Sequence, residues 1–343
     1  MKASSVITSV IVLVGTALSV SAQRSATPVL RLAQSIALPG VTGGFDHFAY
    51  DPLHNRLFLA AEDNGTIEVI DLRRASRARS IAGFKRPHSI LFRPGASTFL
   101  VTDSGPDASA LVDTSTFHKI ISLKVAAGAN CILFDKKRRV VYVTAGGDRV
   151  GEQASTLQMV EPGTGKVLRS VTIDALHLQP MTLDPRTGRL FVNLADQKKI
   201  GIYDQDSLKR IGTWLIPLGS GNSPIAFDRE QRRLFVVASD PGILLELDGD
   251  SGQLRSSIPT PPNPDDMAFD LANERVYVPG SGSLSVYDVS VPGRIELIEQ
   301  VRTGANARTG ILFASATKYA VAVPAVGSDG ARVLIFDISR SRH

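Results

Sequence analysis

Seven polar residues recur at nearly constant spacing and form the clearest candidate site of this chain. Each lies five residues before a position that is usually Asp, and the next three or four positions are mainly apolar. The steps between them are about 42 to 49 residues. The seven are Asp46, His88, Asn130, Gln179, Ser223, Asp265 and Thr309. The adjoining positions add His47, Ser89, Asp266 and Arg308.

These side chains suit two kinds of ligand. Carboxylates, amides and histidine exchange hydrogen bonds with a hydroxylated small molecule, and an arginine holds an anionic group. Carboxylate and amide oxygens are also the ligands that Ca²⁺ or Mg²⁺ prefers. We predict a ligand-binding set of Asp46, His47, His88, Asn130, Gln179, Asp265 and Arg308. His88 is the candidate catalytic base, and Asp46 and Asp265 are the candidate metal ligands. The alternative is that polar strand starts only satisfy backbone groups beside water.

A fold must bring these distant residues together, and a repeat in the sequence predicts one. The Asp position is occupied by Asp51, Arg93, Asp135, Asp184, Asp228, Asp270 and Ala314. A second landmark ends the third strand of each copy at Asp71, Asp113, Glu161, Asp204, Asp248, Asp288 and Asp337. The period is that of a four-stranded blade. We therefore predict an all-β, seven-bladed β-propeller, in which the innermost strands surround one central channel.

The first copy shows how the repeat forms a blade. Residues 45–51 alternate as the innermost strand, 56–61 form the second, 66–71 the third and 77–83 the more polar outer strand. The recurring Asp before the first turn and Arg after it predict a structural pair of low energy. The seventh copy has only three strands. Residues 29–38 resemble the outer strands of other copies, so we expect this N-terminal segment to complete the last blade and close the ring.

The N-terminus predicts export. Met1 and Lys2 precede an apolar run over residues 6–20, and small residues before Gln23 offer a cleavage point, as in a secretory signal peptide. The run is shorter than a spanning helix, and no second run of that length follows, so no membrane span is expected after cleavage. We predict a signal peptide over 1–22 and a single propeller domain over 23–343, periplasmic or secreted, and a monomer.

Composition and missing motifs argue against several function classes. The net charge of the chain is +5, but the basic residues are scattered along the sequence and few aromatic residues lie near them. This distribution supports nucleic-acid binding only weakly. The single cysteine, Cys131, cannot form an internal disulfide and is expected in the core. No phosphate loop, His-Glu-x-x-His sequence or nucleophile elbow is present.

One loop, between Thr144 and Thr156, is longer than its counterparts. It is rich in Gly and is expected on the channel face, as a mobile cover of the mouth or a tolerated insertion.

Several segments resemble the YVTN/YncE-type seven-bladed propellers. They are residues 45–51, 140–144, 222–228 and 265–270, and the resemblance covers about residues 29 to 338. It implies export, with most members lacking an assigned activity and some associated with DNA. Related propellers include surface-layer proteins, lactonases and streptogramin lyases, but the paired His and Glu of the lyases are not evident. We expect a protein that binds a small ligand or a partner at the channel mouth. The alternatives are a metal-assisted lyase or lactonase, and a scaffold for protein, glycan or nucleic acid.

Overall fold

Seven antiparallel sheets of four strands each form the ring. The structure is a computed structural model that describes residues 28–93 and 95–339. Within these residues, every sheet contains three strands that are consecutive in sequence and a fourth on its outer side. The seven-bladed β-propeller predicted from the repeat is confirmed. The predicted signal peptide lies outside the described residues.

The first four blades follow the sequence repeat in order. Blade 1 contains β2 (Phe48–Asp51), β3 (Arg56–Ala61), β4 (Thr66–Asp71) and β5 (Ser76–Ile81). Blade 2 contains β6 (Pro87–Leu91), β7 (Thr98–Asp103), β8 (Ala110–Asp113) and β9 (Lys119–Ser122). Blade 3 contains β10 (Ile132–Asp135), β11 (Val140–Gly146), β12 (Ser155–Val160) and β13 (Val167–Ile173). Blade 4 contains β14 (Leu178–Asp184), β15 (Arg189–Leu194), β16 (Lys199–Asp204) and β17 (Arg210–Leu215).

The remaining blades complete the ring. Blade 5 contains β18 (Ser220–Asp228), β19 (Arg233–Asp240), β20 (Ile243–Asp248) and β21 (Leu254–Pro259). Blade 6 contains β22 (Ala268–Asp270), β23 (Arg275–Gly280), β24 (Ser283–Asp288) and β25 (Glu296–Arg302). Blade 7 contains β26 (Thr309–Leu312), β27 (Lys318–Val323), β28 (Arg332–Ile338) and β1 (Leu30–Ala37). Two short 3₁₀ turns, Gly147–Val150 and Ala195–Gln197, lie in loops.

Turn chemistry explains both landmarks of the repeat. At the first landmark, the Asp51 carboxylate accepts the backbone N–H groups of Leu53 and His54 at 3.0 and 3.2 Å. At the second landmark, Asp71 accepts those of Arg73 and Arg74 at 2.9 and 3.0 Å. A short carboxylate that bonds N–H groups two and three residues later stabilises a tight turn. The repeating acids therefore form the hairpins of the blades and are not part of the site.

The Asp and Arg that flank the first turn do pair across it. Arg56 Nε lies 2.8 Å from Asp51, and Arg233 Nη2 lies 2.8 Å from Asp228. The low energy predicted for these pairs is that of exposed pairs, whereas both members of the Asp228–Arg233 pair are fully buried. A buried pair needs further hydrogen bonds, and Arg233 also donates to the backbone oxygen of Val289 at 2.6 Å.

The N-terminal strand closes the ring as predicted. Strand β1 pairs antiparallel with β28, from Leu30 opposite Ile338 to Ala37 opposite Arg332. Strand β1 thus covers the edge of β28 that would otherwise be unpaired. Ile36 is buried with residues of blades 1 and 7, so the closing strand contributes apolar packing as well as backbone bonds.

The core lies between neighbouring blades. Phe58 of blade 1 packs against Phe99 of blade 2, with ring centroids 4.7 Å apart. Tyr277 of blade 6 stacks on Tyr319 of blade 7 at 5.4 Å. Cys131 is buried between blades 3 and 4, as expected. Because each blade buries its faces against two neighbours, the inner strand starts are held in a fixed ring around the channel.

Candidate functional site

A cavity of about 220 Å³ opens where the innermost strands begin. Its walls combine carboxylates, guanidinium groups, imidazoles and amides from six blades. The lining residues are Asp46, His47, Glu62, Arg86, Asn130, Arg149, His177, Gln179, Asp265 and Arg308. We call this cavity the channel mouth.

Asp46 is the central acceptor of the channel mouth. Its Oδ2 lies 2.5 Å from His88 Nδ1, and its Oδ1 lies 3.2 Å from His47 Nε2. Burial alone would raise the pKa of the Asp46 carboxyl, but the two histidines outweigh burial and hold that pKa well below its usual value. Because an ionised carboxylate only accepts hydrogen bonds, His88 Nδ1 carries a proton. His88 Nε2 is hydrogen-bonded to the hydroxyl of Ser104.

The order Ser104–His88–Asp46 is that of a hydrolytic triad, but the surroundings do not fit one. Such a site needs backbone N–H groups free to bind an oxyanion. The N–H of Ser104 donates to the Arg86 carbonyl at 3.1 Å, and that of Gly105 donates to Asp103 at 2.8 Å. His88 is fully buried and does not line the channel mouth. Its contacts instead connect blade 1 to blade 2 and fix the direction of the Asp46 carboxylate.

His47 bridges two carboxylates. Its Nδ1 lies 2.7 Å from Asp266 and its Nε2 lies 3.2 Å from Asp46. Burial would lower the pKa of the imidazole, but Asp46 and Asp266 outweigh it and raise that pKa well above its usual value. His47 is therefore an imidazolium at neutral pH. Asp266 also accepts the backbone N–H of Gly310 at 2.9 Å, which fixes blades 6 and 7 against this bridge.

Asp265 behaves in the opposite way to Asp46. Burial and the nearby charge of Asp46 raise the pKa of the Asp265 carboxyl from 3.8 to about 7, although Arg308 opposes the shift. Arg308 Nε lies 3.1 Å from the Asp265 carboxylate, and its side chain remains 45% exposed. Asp46 and Asp265 thus differ in protonation below about pH 7: Asp46 is ionised and Asp265 holds a proton.

Glu62 and Arg86 form another ion pair in the lining of the channel mouth. Arg86 Nε donates to Glu62 at 2.6 Å, and Glu62 lies 3.7 Å from His88 Nδ1. Ligand atoms of Asp46, Glu62 and His88 lie within 4.8 Å of one another, which makes these three the candidate metal donors among the described residues. Their oxygens and nitrogens are already bonded to Arg86, to His47 and to each other, so a cation would have to displace these partners.

The long loop of blade 3 supplies the third arginine. The side-chain oxygen of Asn130 accepts hydrogen bonds from Arg149 Nη2 and Nε at 2.7 and 3.3 Å. The loop is fastened to its surroundings, since Gly146 donates to Ala127 at 2.9 Å and Asp148 donates to Leu176 at 3.0 Å through their backbone N–H groups. The expectation that the loop lies on the channel face is confirmed by Arg149, but the loop is bonded in place and is not a free cover.

His177 and Gln179, at the start of blade 4, line another wall of the channel mouth. His177 Nδ1 lies 2.9 Å from Asp148 of the long loop. Its Nε2 accepts from the Gln179 amide at 2.6 Å. This chain of contacts orders the Gln179 amide at the wall of the channel mouth and ties the long loop to blade 4.

The structure brings together most of the predicted site residues. Six of the seven line the channel mouth. The seventh, His88, is hydrogen-bonded to Asp46 but does not line the cavity. Ser223 lines a neighbouring cavity with Gln179 and Asp265. Thr309 is buried and its hydroxyl donates to the Phe45 carbonyl at 3.3 Å, so it does not face the mouth.

Four lining residues were missing from the prediction. They are Glu62, Arg86, Arg149 and His177. Arg86 and His177 lie two residues before the recurrent polar position, so a search of that position would have found them. Glu62 directly follows a second strand, and Arg149 lies in the insertion, where no repeat position exists to align.

Comparison with known proteins supports the fold and goes no further. No family model and no curated protein matches the chain. Among solved structures, a chain of "Crystal Structure of Mitotic Checkpoint Complex" is similar at a TM-score of 0.72 and 11% identity. The match covers 95% of this chain and 100% of that one. Within the described residues, no helix has the length and apolar character needed to cross a membrane.

Proposed function

We propose that this protein binds a small hydroxylated anion, such as a 2-hydroxy carboxylate, at the channel mouth. The observation that carries the proposal is the charge of the site. Where Asp265 is protonated, below about pH 7, three carboxylates remain: Asp46 and Glu62 in the lining, and Asp266 behind His47. They oppose three guanidinium groups and the His47 imidazolium. A ligand anion would balance this positive excess, and guanidinium groups bind carboxylates with matched geometry.

The way the arginines are held supports this proposal. Arg86 and Arg308 contact their carboxylate partners through Nε, and Arg149 contacts Asn130 through Nη2 and Nε. All three side chains line the channel mouth, and these contacts use only some of the five N–H donors of each guanidinium group. The protonated Asp265 and the Gln179 amide add a donor and an acceptor for hydroxyl groups.

Calorimetric titration with lactate tests the proposal, with lactamide as the uncharged control. Lactate is expected to bind more tightly than lactamide. Arg149→Gln and Arg308→Gln are each expected to weaken lactate binding about 10- to 100-fold, since a hydrogen bond to a charged group contributes about 1.5–3 kcal/mol.

Arg294→Gln is the matched control, because Arg294 is also an exposed arginine paired through Nε at 3.1 Å, but with Glu296 on blade 6. Equal binding of lactate and lactamide, or an equal effect of all three substitutions, would contradict an anion site at the channel mouth.

Metal-assisted lyase or lactonase chemistry is the second candidate, favoured by the grouping of Asp46, Glu62 and His88. In this function, a divalent cation would polarise a substrate oxygen. Elemental analysis and thermal shift with Ca²⁺, Mg²⁺ and Zn²⁺, each with and without EDTA, test it. A shift abolished by Glu62→Gln would support these three ligands, whereas one abolished by Asp265→Asn would support the pair predicted from sequence.

Membership of the YVTN/YncE-type propellers and export are also proposed here. They rest on the repeat segments and on the N-terminal sequence pattern. Sequencing the N-terminus of the protein recovered from its native compartment tests export: a mature chain beginning near Gln23 is expected, and an intact Met1 in a cytoplasmic fraction would contradict it. Scaffolding of a larger partner remains the alternative that absence of any small-molecule binding would favour.

A further inference from the structure

A second cavity of about 240 Å³ continues the channel mouth along the central channel. His47 and Asp265 line both cavities, so the two spaces meet at these side chains. Ser89 and Asp266 add polar atoms to the lining of the second cavity, whereas most of its other residues are apolar. We call the second cavity the apolar channel.

The apolar channel is lined by side chains that the blade interfaces do not fully bury. Leu91, Ile132, Phe134 and Met267 come from blades 2, 3 and 6 and are only half-buried in the structure. Apolar side-chain surface that faces water is unfavourable. A ligand group that covers these side chains would recover this energy, which a wholly polar ligand at the channel mouth would not.

We propose that the ligand is an amphipathic 2-hydroxy acid with its carboxylate at the arginines and one apolar group in the apolar channel. This inference rests on the proposed function and narrows its ligand class. The charge of the channel mouth selects the carboxylate end, and the lining of the apolar channel selects the other end. The hydroxyl lies between them, beside His47 and Asp265, the only residues common to both linings among those described.

The size of the apolar channel limits the apolar group. A cavity of about 150 Å³ holds benzene. The apolar channel, at about 240 Å³, therefore has room for a phenyl ring or a short alkyl chain. Burial of one methylene tightens binding by about fourfold, so three methylenes give roughly 60-fold.

Calorimetric titration with lactate, 2-hydroxybutyrate, 2-hydroxyhexanoate and 3-phenyllactate tests the inference. The wild-type protein is expected to bind 2-hydroxyhexanoate roughly 60-fold more tightly than lactate. Two variants change the apolar channel in different ways: Ile132→Gln makes it polar, and Met267→Trp fills it. In both variants the ratio of the two affinities is expected to fall toward one. Leu215→Gln, at a 69% exposed position on the outer strand of blade 4, is the control and should keep the wild-type ratio.

The outcomes separate this inference from the proposed function. Lactate binding that depends on Arg308, without any gain from the longer chain, would overturn the inference and leave the proposed function standing. A gain that survives both channel variants would also overturn it, because the apolar group would then lie elsewhere. Failure of every acid to bind in an Arg308-dependent way would overturn the proposed function and this inference with it.

Discussion

Replacing Asp265 by Asn should change how stability depends on pH. In the unfolded chain this carboxyl loses its proton near pH 3.8, whereas in the folded protein burial and Asp46 raise its pKa to about 7. Between these values the folded state binds more protons than the unfolded state. The wild-type protein therefore loses stability as pH rises through this window, and the loss is complete above about pH 7.

The magnitude follows from the shift. One pKa unit corresponds to about 1.36 kcal/mol, so a shift from 3.8 to about 7 corresponds to a loss of up to about 4 kcal/mol. Asp265→Asn has no proton to release at this position. Its free energy of unfolding should therefore gain up to about 4 kcal/mol relative to wild type between pH 4 and pH 8, or roughly 6 °C in Tm. The raised pKa of His47 acts in both proteins and largely cancels in this difference.

Urea unfolding at closely spaced pH values measures the difference directly. Asp266→Asn is the matched control, because Asp266 accepts hydrogen bonds from His47 and from the Gly310 backbone. Its loss should lower stability throughout the range. A constant difference between wild type and Asp265→Asn from pH 4 to pH 8, or a variant that becomes relatively less stable at high pH, would refute the assignment of the proton to Asp265.

Two further predictions concern the closing strand and the long loop. Ile36→Ala should lower the free energy of unfolding by about 2–5 kcal/mol in denaturant titration, because Ile36 of β1 is buried against residues of blades 1 and 7. An unchanged free energy of unfolding would count against closure by the N-terminal strand. Gly147→Ala should weaken lactate binding by moving Arg149, since a Cβ at Gly147 would lie 2.0 Å from the Leu176 carbonyl oxygen. Gly151→Ala is the control, because Gly151 has a similarly positive φ but open space around it, and this substitution should leave lactate binding unchanged. Equal effects of both glycine substitutions on binding would show that the position of the loop does not matter.

The fold was predictable because the repeated residues are those that form the tight turns of each blade. Asp51 and Asp71 mark turns through bonds to N–H groups two and three residues later, so their spacing shows the hairpins directly. The start of the innermost strand was less predictable. Strand β2 begins at Phe48, whereas residues 45–51 were predicted as the innermost strand. Asp46 and His47 both bond to the backbone of Ala60, at 2.9 and 3.2 Å, outside the regular ladder.

The site was predictable where it follows the repeat. Alignment of the blades found Asp46 and Asp265, because the fold places equivalent positions around one channel. Alignment could not show that His88 turns away from the cavity, because its orientation depends on Asp46 and Ser104 of two different blades. Arg149 was missed because an insertion has no equivalent in other blades.

A crystal structure with bound 3-(4-bromophenyl)lactate is the most direct test of ligand binding in the channel. We expect carboxylate density among Arg86, Arg149 and Arg308, and an anomalous bromine peak in the apolar channel beside Ile132 and Phe134. A probe that binds in solution yet leaves both cavities empty in the crystal, or that lies on an outer face of the blades, would contradict this assignment.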